Sequence, residues 1–431
     1  ISACLVGSEM CIRDSLVSIA RANGIITLET RIPDEDARIL SILSGSGFDV
    51  KRLIQGGVVH LSICTEETEE HARRQRSFER QAIARAVRRF VNPKAIAVVG
   101  ASRQSGTIGA GLVVNLRDCR FTGPIYPVNP NAAEIHGLRA YKSVSAIGAP
   151  VDLALIAVPA RFVEEAIRDC ARAGVRSVIV ISAGFGEVSA EGREAENRLT
   201  ELVRTSGMRM IGPNCMGVVN TDPQYSLNAT FVPAWPPAGN IGMLSQSGAV
   251  GYIILDCIQS LKIGLSTFVS IGNSADITSE DILAYWADDP CTDVVALYLE
   301  GLSNPRKLAR MAPDLARQKP ILAVKAGRSA VGIRAASSHT AALASPDAAV
   351  DALFEQAGVI RTNTLGELID AALLLATQPV PPGNRVGVIS NAGGPGILFA
   401  DTCEAHSLVI PELTRRTIEK LRSFLPSQAT L

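Results

Sequence analysis

From Asn92 onward the chain alternates short apolar runs with helical stretches, and this alternation limits its fold more than any other feature. "AIAVVG", "GPIYPVNP", "DLALIAVP", "SVIVISAG" and "RMIGP" are separated by segments such as "RFVEEAIRDCARAG". Strand-length runs this apolar are buried on both faces, which calls for helices on either side of a parallel, doubly wound sheet. A Pro-rich connection, "PQYSLNATFVPAWPPAG", separates this domain from a second one. There the alternation resumes with "NIGMLSQSG", "LSTFVSIG", "DVVALYLEG" and "PILAVKAG" and runs to about Thr377. After "QPVPPGN" a third domain opens with "RVGVISNAGGPG" and is expected to be truncated at Leu431. The fold class is α/β.

Composition narrows the functional classes. At 431 residues and 47% hydrophobic, the chain has material for several packed cores. Lys+Arg and Asp+Glu both total 42, so no overall field favours nucleic acid or a membrane surface, and no apolar run is long enough to span a bilayer. Nine cysteines with no C-x-x-C pair read as reduced thiols of a cytoplasmic protein, with neither a disulfide framework nor a metal site.

The N-terminal region stands apart. Residues 1–15, "ISACLVGSEMCIRDS", lack an initiating Met and have no signal-peptide order; they read as a non-native, adapter-like segment. Residues 16–64 read as helix, strand, helix, strand. Their phrase "ARANGIITLETRIPDEDARILSILSGSGF" resembles the C-terminal part of a GNAT-type N-acetyltransferase. The Gly-rich acetyl-CoA loop of that family would lie upstream, so this segment is expected to be a remnant without activity of its own. Residues 65–90, acidic and then basic with sparse apolar positions, read as a solvated, charged helical linker.

An internal echo ties the second and third domains together. "IGMLSQSGAVGYIILD" and "VGVISNAGGPGILFAD" superpose without a gap at an offset of 387 − 242 = 145, matching Gly242, Ser245, Gly248 and Asp256 to Gly387, Ser390, Gly393 and Asp401. Duplicated flavodoxin-like domains account for this with one assumption. Each copy is an apolar strand, a small polar turn and a helix start. Such turns present free backbone N–H groups to an anion, with Ser247 in one and Asn391 in the other as small polar side chains. The candidate phosphate cradles are Ser245, Gln246, Ser247 and Gly248, and Asn391, Ala392, Gly393 and Gly394. Ordinary helix capping is the competing reading of either turn taken alone.

The first domain has its own turn, "VVGASRQSGTIGAG", where backbone N–H groups and a helix dipole favour phosphate. Its glycines do not follow G-x-G-x-x-G, and the second strand ends in Asn129 and Asn131 where a dinucleotide fold places an acid for the ribose. NAD is disfavoured. Between the echoed turns lies "RAASSHTAALASP", which sets His339 among small residues. A satisfied surface or core histidine is one reading; a nucleophile that a bulky group must reach is the other.

From Asn92 on, these motifs together resemble the NDP-forming acyl-CoA synthetases, relatives of the succinyl-CoA synthetase α-subunit and of ADP-forming acetate–CoA ligases. The resemblance rests on "AVVGASRQSGTIG", "PVNPN", "VPARF", "VISAGFGE", "MIGPNCMGVVN", "GMLSQSGAVG", "SIGNSADI", "YLEGLSNP" and "SSHTAAL", in that family's order. It implies a Rossmann-like CoA-binding domain over 91–225, a flavodoxin-like ligase domain over 238–379 and a truncated second one over 384–431. It implies that His339 carries a phosphoryl group between an acyl-CoA site and a nucleotide site, with Glu300 as its acidic partner. CoA would lie along Gly100, Ser102, Arg103, Gln104 and Ser105, Asn129 and Asn131, Val158 and Pro159, and Ser182, Ala183 and Gly184. A lysine present near "PVNPN" in some members is absent here, which leaves Arg103 to neutralise the pyrophosphate. ATP/ADP and Mg²⁺ would belong to an ATP-grasp domain on a β-subunit or beyond these residues, in an oligomer acting on a small carboxylic acid and its acyl-CoA. The rival reading is a catalytically silent CoA- or acyl-CoA-sensing module of a protein lysine acetyltransferase.

Overall fold

A computed structural model describes residues 16–17, 19–33, 48–55, 58–66, 68–329, 331–332, 347–379, 381–427 and 429. The expectations for 1–15, and for His339 within 333–346, fall outside the described residues. The chain divides into two units, Ile1–Ala376 and Thr377–Leu431.

The first unit begins with β1 (Thr27–Pro33), β2 (Val50–Gln55) and β3 (Val58–Cys64), an antiparallel sheet in the order β1-β3-β2. Strict alternation buries Val59, Leu61 and Ile63 on one face of β3. β2 was not foreseen, because "VKRLIQ" carries no apolar alternation and is mostly exposed. Helix α1 (Glu69–Val91) follows, its first turn capped where Thr68 Oγ1 accepts from His71 N at 3.0 Å. It is not the solvated linker its charges suggest. Val87, Phe90 and Val91 are buried in a cluster that also contains Ile96, Leu153, Ile277 and Trp286, so the helix wedges into a core shared by both following sheets. Its C-terminal carbonyl at Val91 accepts from Asn220 Nδ2 at 2.9 Å.

The first of those sheets comprises β4 (Ile96–Val99), β5 (Ile125–Val128), β8 (Leu153–Ile156), β9 (Ser177–Val180) and β10 (Arg209–Ile211), with the small hairpin β6 (Glu134–Ile135) and β7 (Leu138–Arg139) outside it. Its strands are all parallel, in the order β10-β9-β8-β4-β5. β4, β8 and β9 are buried along their whole length, as strands covered on both faces must be. Helices α2 (Ile108–Asp118), α3 (Val163–Arg172) and α4 (Ala190–Thr205) connect them.

The second sheet has seven strands in the order β12-β11-β14-β13-β15-β16-β17. Its strands are β11 (Gly217–Asn220), β12 (Leu227–Thr230), β13 (Ala238–Ser245), β14 (Leu265–Ser270), β15 (Val294–Leu299), β16 (Ile321–Lys325) and β17 (Val359–Thr362). The segment "SLNAT", read from sequence as part of a connection, is therefore a buried edge strand. Residues 217–230 leave the first domain's sequence neighbourhood and pair antiparallel onto the second sheet. Helices α5 (Gly248–Ser260), α6 (Ser279–Asp288), α7 (Pro305–Ala316), α8 (Asp347–Ala357) and α9 (Leu365–Thr377) cover its faces. The parallel part, β14-β13-β15-β16-β17, has the flavodoxin-like order 2-1-3-4-5, and the first sheet repeats that order.

In the second unit, α10 (Gly393–Ala405) and α11 (Arg415–Arg422) are formed, and Arg385 bridges Val409. No ladder forms over the described residues 386–390, where a strand was expected, and Ile389 is fully exposed there. A strand needs paired neighbours to satisfy its backbone, and the described residues supply a single bridge.

The wedge role of α1 is testable. Phe90→Ala should cost about 3–5 kcal/mol, as truncation of a buried aromatic does, whereas a solvated linker would tolerate it within about 0.5 kcal/mol. Urea denaturation of the two proteins distinguishes these outcomes.

Candidate functional site

In an open parallel sheet, ligands bind beyond the C-terminal strand ends, at the point where the strand order reverses. In the first sheet this point lies between β4 and β8. Gly100 ends β4 with φ +88°, and a Cβ there would stand 2.4 Å from the Ala157 carbonyl oxygen. A Cβ on Gly109, in the first turn of α2, would stand 2.0 Å from the Gly100 oxygen. Backbone thus presses directly on backbone, and the helix N-terminus is drawn up to the strand end. Thr107 caps α2, accepting from Ala110 N at 3.4 Å and donating to the Gln104 carbonyl at 2.8 Å. Gln104 N in turn donates to Ser102 Oγ at 3.0 Å.

Above this turn lies a cavity of about 430 Å³ lined by Ser102, Arg103, Gln104, Asn129, Asn131 and Ala132. The sequence-predicted CoA residues of the turn and of "PVNPN" therefore meet. Asn129 is partly architectural: its Nδ2 donates to the Ala101 carbonyl at 2.8 Å and its Oδ1 accepts from Asn131 N at 2.8 Å. Val158 and Pro159 follow β8, and Ser182, Ala183 and Gly184 follow β9, on the same edge of the sheet. Ser182 Oγ donates to the Val158 carbonyl at 2.5 Å, binding these two loops to each other. A polar crevice with Arg103, a helix N-terminus and glycine-only backbone contacts fits a nucleotide diphosphate such as that of CoA.

The second switch point lies between β13 and β15. It brings the "SQSG" turn beside Glu300, the residue after β15. Ser245 is fully buried, and its Oγ donates to the Ser247 carbonyl at 2.6 Å. Gln246 N donates to the Tyr298 carbonyl at 3.1 Å, and its Nε2 to the Gly301 carbonyl at 2.9 Å. Its Oε1 accepts from Gly301 N at 2.9 Å and from Glu300 N. Ser245 and Gln246, expected to hold phosphate directly, are thus committed to the protein's own backbone, and Gln246 fixes the turn that carries Glu300. The donors open to an anion are the first N–H groups of α5 at Gly248 and Ala249 and the Ser247 hydroxyl, whose Oγ accepts from Val250 N at 3.4 Å and keeps its proton to donate.

These N–H groups face a cavity of about 510 Å³ whose wall includes Asn214, Cys215, Met216, Phe231, Tyr252 and Asn273. Sequence reasoning missed Asn214, Tyr252 and Asn273. Their motifs were read as family markers, with no local pattern to assign them a cavity. Burial, with repulsion from Glu300, pushes the Tyr298 phenol up. Lys325, paired in register with Leu299, was also missed; burial pulls its ammonium down although Asp347 and Glu300 oppose that shift.

His339 lies outside the described residues, between two described ones that pair: Arg328 Nε and Asp347 Oδ2 are 3.4 Å apart. The echo between the units survives at hydrogen-bond level. Ser390 Oγ donates to the Ala392 carbonyl at 2.7 Å, as Ser245 does to Ser247, and α10 begins and ends 145 residues after α5. The N-cap positions are Ser247 and Ala392, the latter without a side-chain cap, and Asn391 corresponds to Gln246. Gly393 and Gly394 open α10, and all of 390–394 is exposed.

Among the described residues no group of three His, Cys, Asp or Glu side chains is placed to hold a metal, and no helix is long and apolar enough to cross a membrane.

Comparison with known proteins agrees with this fold. Residues 94–221 match the family described as CoA binding domain, and 238–375 the succinyl-CoA ligase like flavodoxin domain. The chain is 43% identical over 342 residues to the α subunit of ADP-forming acetate–CoA ligase II of Pyrococcus furiosus, covering 79% of this chain and 74% of that one. The chain belongs to the ADP-forming acetate–CoA ligase family. It is 44% identical over 339 residues to the Methanocaldococcus jannaschii ADP-forming acetate–CoA ligase, where the match takes in 79% of this chain but spans about half, 47%, of that relative. Among solved structures it resembles Ca. Korarchaeum cryptofilum dinucleotide forming acetyl-coenzyme A synthetase 1 in complex with phosphate and ADP. That likeness has a TM-score of 0.76 at 38% identity and covers 80% of this chain and 74% of that one.

Cys215 stands in the wall of the larger cavity, yet it is a poor candidate nucleophile. Burial pushes its thiol up to about 12, as it does that of Cys170. In the native protein at pH 8, iodoacetamide should therefore leave Cys170 and Cys215 unmodified while labelling the exposed Cys291. Peptide mapping checks this, and rapid loss of the Cys215 thiol would contradict the assignment.

Proposed function

We propose that this chain is the acyl-CoA-handling part of an ADP-forming acyl-CoA synthetase, interconverting acyl-CoA, phosphate and ADP with acid, CoA and ATP. The observation that carries the reading is the pairing of two switch points in one unit, one a polar crevice suited to a diphosphate and the other a cavity with helix N–H donors beside Glu300. CoA would occupy the first, with Arg103 and the 102–105 turn at its pyrophosphate. The acyl end and phosphate would meet in the second.

In the forward direction a phosphate oxygen attacks the thioester carbon, and the thiolate leaves and takes a proton to give CoA and an acyl phosphate. The His339 imidazole then attacks phosphorus, the P–O bond to the carboxylate breaks, and the acid departs. The Gly248 and Ala249 N–H groups hold charge on the phosphoryl oxygens, and Glu300 stabilises the positive ring of the phosphorylated histidine. ATP/ADP and Mg²⁺ would be held by an ATP-grasp domain, on a β-subunit or on a further segment, with the nucleotide as the substrate that accepts or supplies the phosphoryl group and Mg²⁺ neutralising its charge. The second echoed turn, Asn391–Gly394, is read as a further anion cradle. Residues 16–64 are read as an acetyltransferase remnant, on their sequence resemblance and their antiparallel sheet. The protein is read as a cytoplasmic oligomer.

Two outcomes are expected. By calorimetry the chain should bind CoA and give no signal with NAD; the reverse would sink the assignment. With a cognate ATP-grasp partner, Mg²⁺ and ATP, it should acquire an acid-labile, base-stable phosphate that peptide mapping places on His339. His339→Ala should abolish the label, Glu300→Gln should slow it by about 10²-fold, and Ser247→Ala, which removes one donor of several, should slow it less. Label on a serine, or label surviving in His339→Ala, would overturn the mechanism.

A further inference from the structure

The loop after β9 and the wall of the larger cavity are joined by side chains that the proposed chemistry does not itself use. Glu187 Oε1 accepts from Gly184 N at 2.6 Å and from Phe185 N at 3.2 Å, which sets the conformation of the loop where Gly184 stands at φ +105°. Its other oxygen, Oε2, accepts from Asn273 Nδ2 at 2.6 Å. The same Nδ2 donates to Glu196 Oε2 at 2.6 Å, and Asn273 Oδ1 accepts from Asn214 Nδ2 at 3.2 Å. Backbone reinforces the link: Asn214 N donates to the Ser182 carbonyl at 2.9 Å, and Asn273 N to the Pro213 carbonyl at 3.0 Å. Asn214 and Asn273 both line the 510 Å³ cavity. Glu187 and Glu196 come from the first domain and Asn273 from the second. Both bonds from its amide to the carboxylates are short, as charge-assisted bonds are.

We propose that Asn273 and Glu187 are positioning residues that lock the 182–187 loop to the cavity wall, so that acyl-CoA bound at the first switch point presents its thioester at the second. The proposal rests on the placement of CoA given above. Asn273 suits this role because an amide can donate to two carboxylates with one atom and accept from Asn214 with the other. A carboxylate at 273 would face both acids and repel them. Neighbouring charges agree with the arrangement. Burial pushes the Glu187 carboxyl up, but the bonds from Asn273 and Gly184 outweigh it and hold the group below its usual range. For Glu196 burial prevails, helped by repulsion from Glu187, and its carboxyl is raised despite the bonds from Asn273 and Gly186 and the nearby Arg193.

The test is a donor–acceptor exchange. In the ligand-free chain, Asn273→Asp should raise amide hydrogen exchange at Gly184 and Phe185 by about tenfold or more, the cost of a lost charge-assisted bond. Adding Glu187→Gln to Asn273→Asp lets the new amide at 187 donate to the new carboxylate at 273, and should return exchange part of the way to the parent, the Glu196 carboxylate still facing position 273. With the ATP-grasp partner present, Asn273→Asp should lower kcat by about tenfold or more with the KM for CoA within about twofold, because a displaced reactive end slows chemistry before it weakens binding. The double variant should recover kcat. A merely structural role would move stability without this split or rescue. Unchanged exchange in Asn273→Asp, or a double variant no better than the single one, would overturn the proposal. Failure of the functional assignment reads differently: the parent would bind no CoA while the exchange pattern held, which overturns the presenting role.

Discussion

The strand order reverses at one place in each sheet, and everything functional in the first unit depends on those two reversals. A parallel sheet in the order 2-1-3-4-5 leaves adjacent strand ends whose connections run to opposite faces, opening a crevice that no crossover helix fills. In the first sheet the crevice is made tight by glycines at 100 and 109, where any Cβ would enter backbone. In the second, Gln246 bridges the crevice and holds the Glu300–Gly301 turn by three hydrogen bonds. One site is thus a cradle formed by missing side chains, the other a frame formed by a present one.

Two crevices make one active centre only if the domains keep a fixed relation. Beside the Asn273 bonds, three contacts supply it. Helix α1 fills a core common to both sheets. Strands β11 and β12 carry chain from the first domain onto the edge of the second sheet. The buried Asp276 accepts from Arg204 Nε at 3.0 Å, Arg209 Nε at 2.8 Å and Met210 N at 3.0 Å, tying the loop after β14 to α4 and β10. The two guanidiniums and the backbone N–H offset the desolvation of a carboxylate that is almost wholly buried. The Asn273 network lies in the same loop, three residues before Asp276.

Much of this was legible in the sequence because parallel strands announce themselves. Each of the five strands of the first sheet falls on a named apolar run, and the turns at 102–105 and 245–248 fall at strand ends, where ligands gather. What escaped the reading was what sequence spacing does not encode. "SLNAT" is too short and too polar to look like a strand; its Asn228 and Thr230 are buried because they bond each other and nearby carbonyls. The charges of 65–90 hide an apolar stripe confined to one end of α1. Gln246 looks like a phosphate ligand until its partners, 54 and 55 residues away, are seen. Asn273 and Glu187, 86 residues apart, could be joined only by the fold.

The central claim is that the two switch points act on one molecule of acyl-CoA. A crystal structure of the chain with a non-hydrolysable acyl-CoA analogue tests it most directly. The account predicts the diphosphate at the 102–105 turn beside Arg103, and the acyl thioester end inside the cavity walled by Asn214, Asn273 and Gly248. A diphosphate bound elsewhere, or an acyl end directed away from that cavity into solvent, would contradict it.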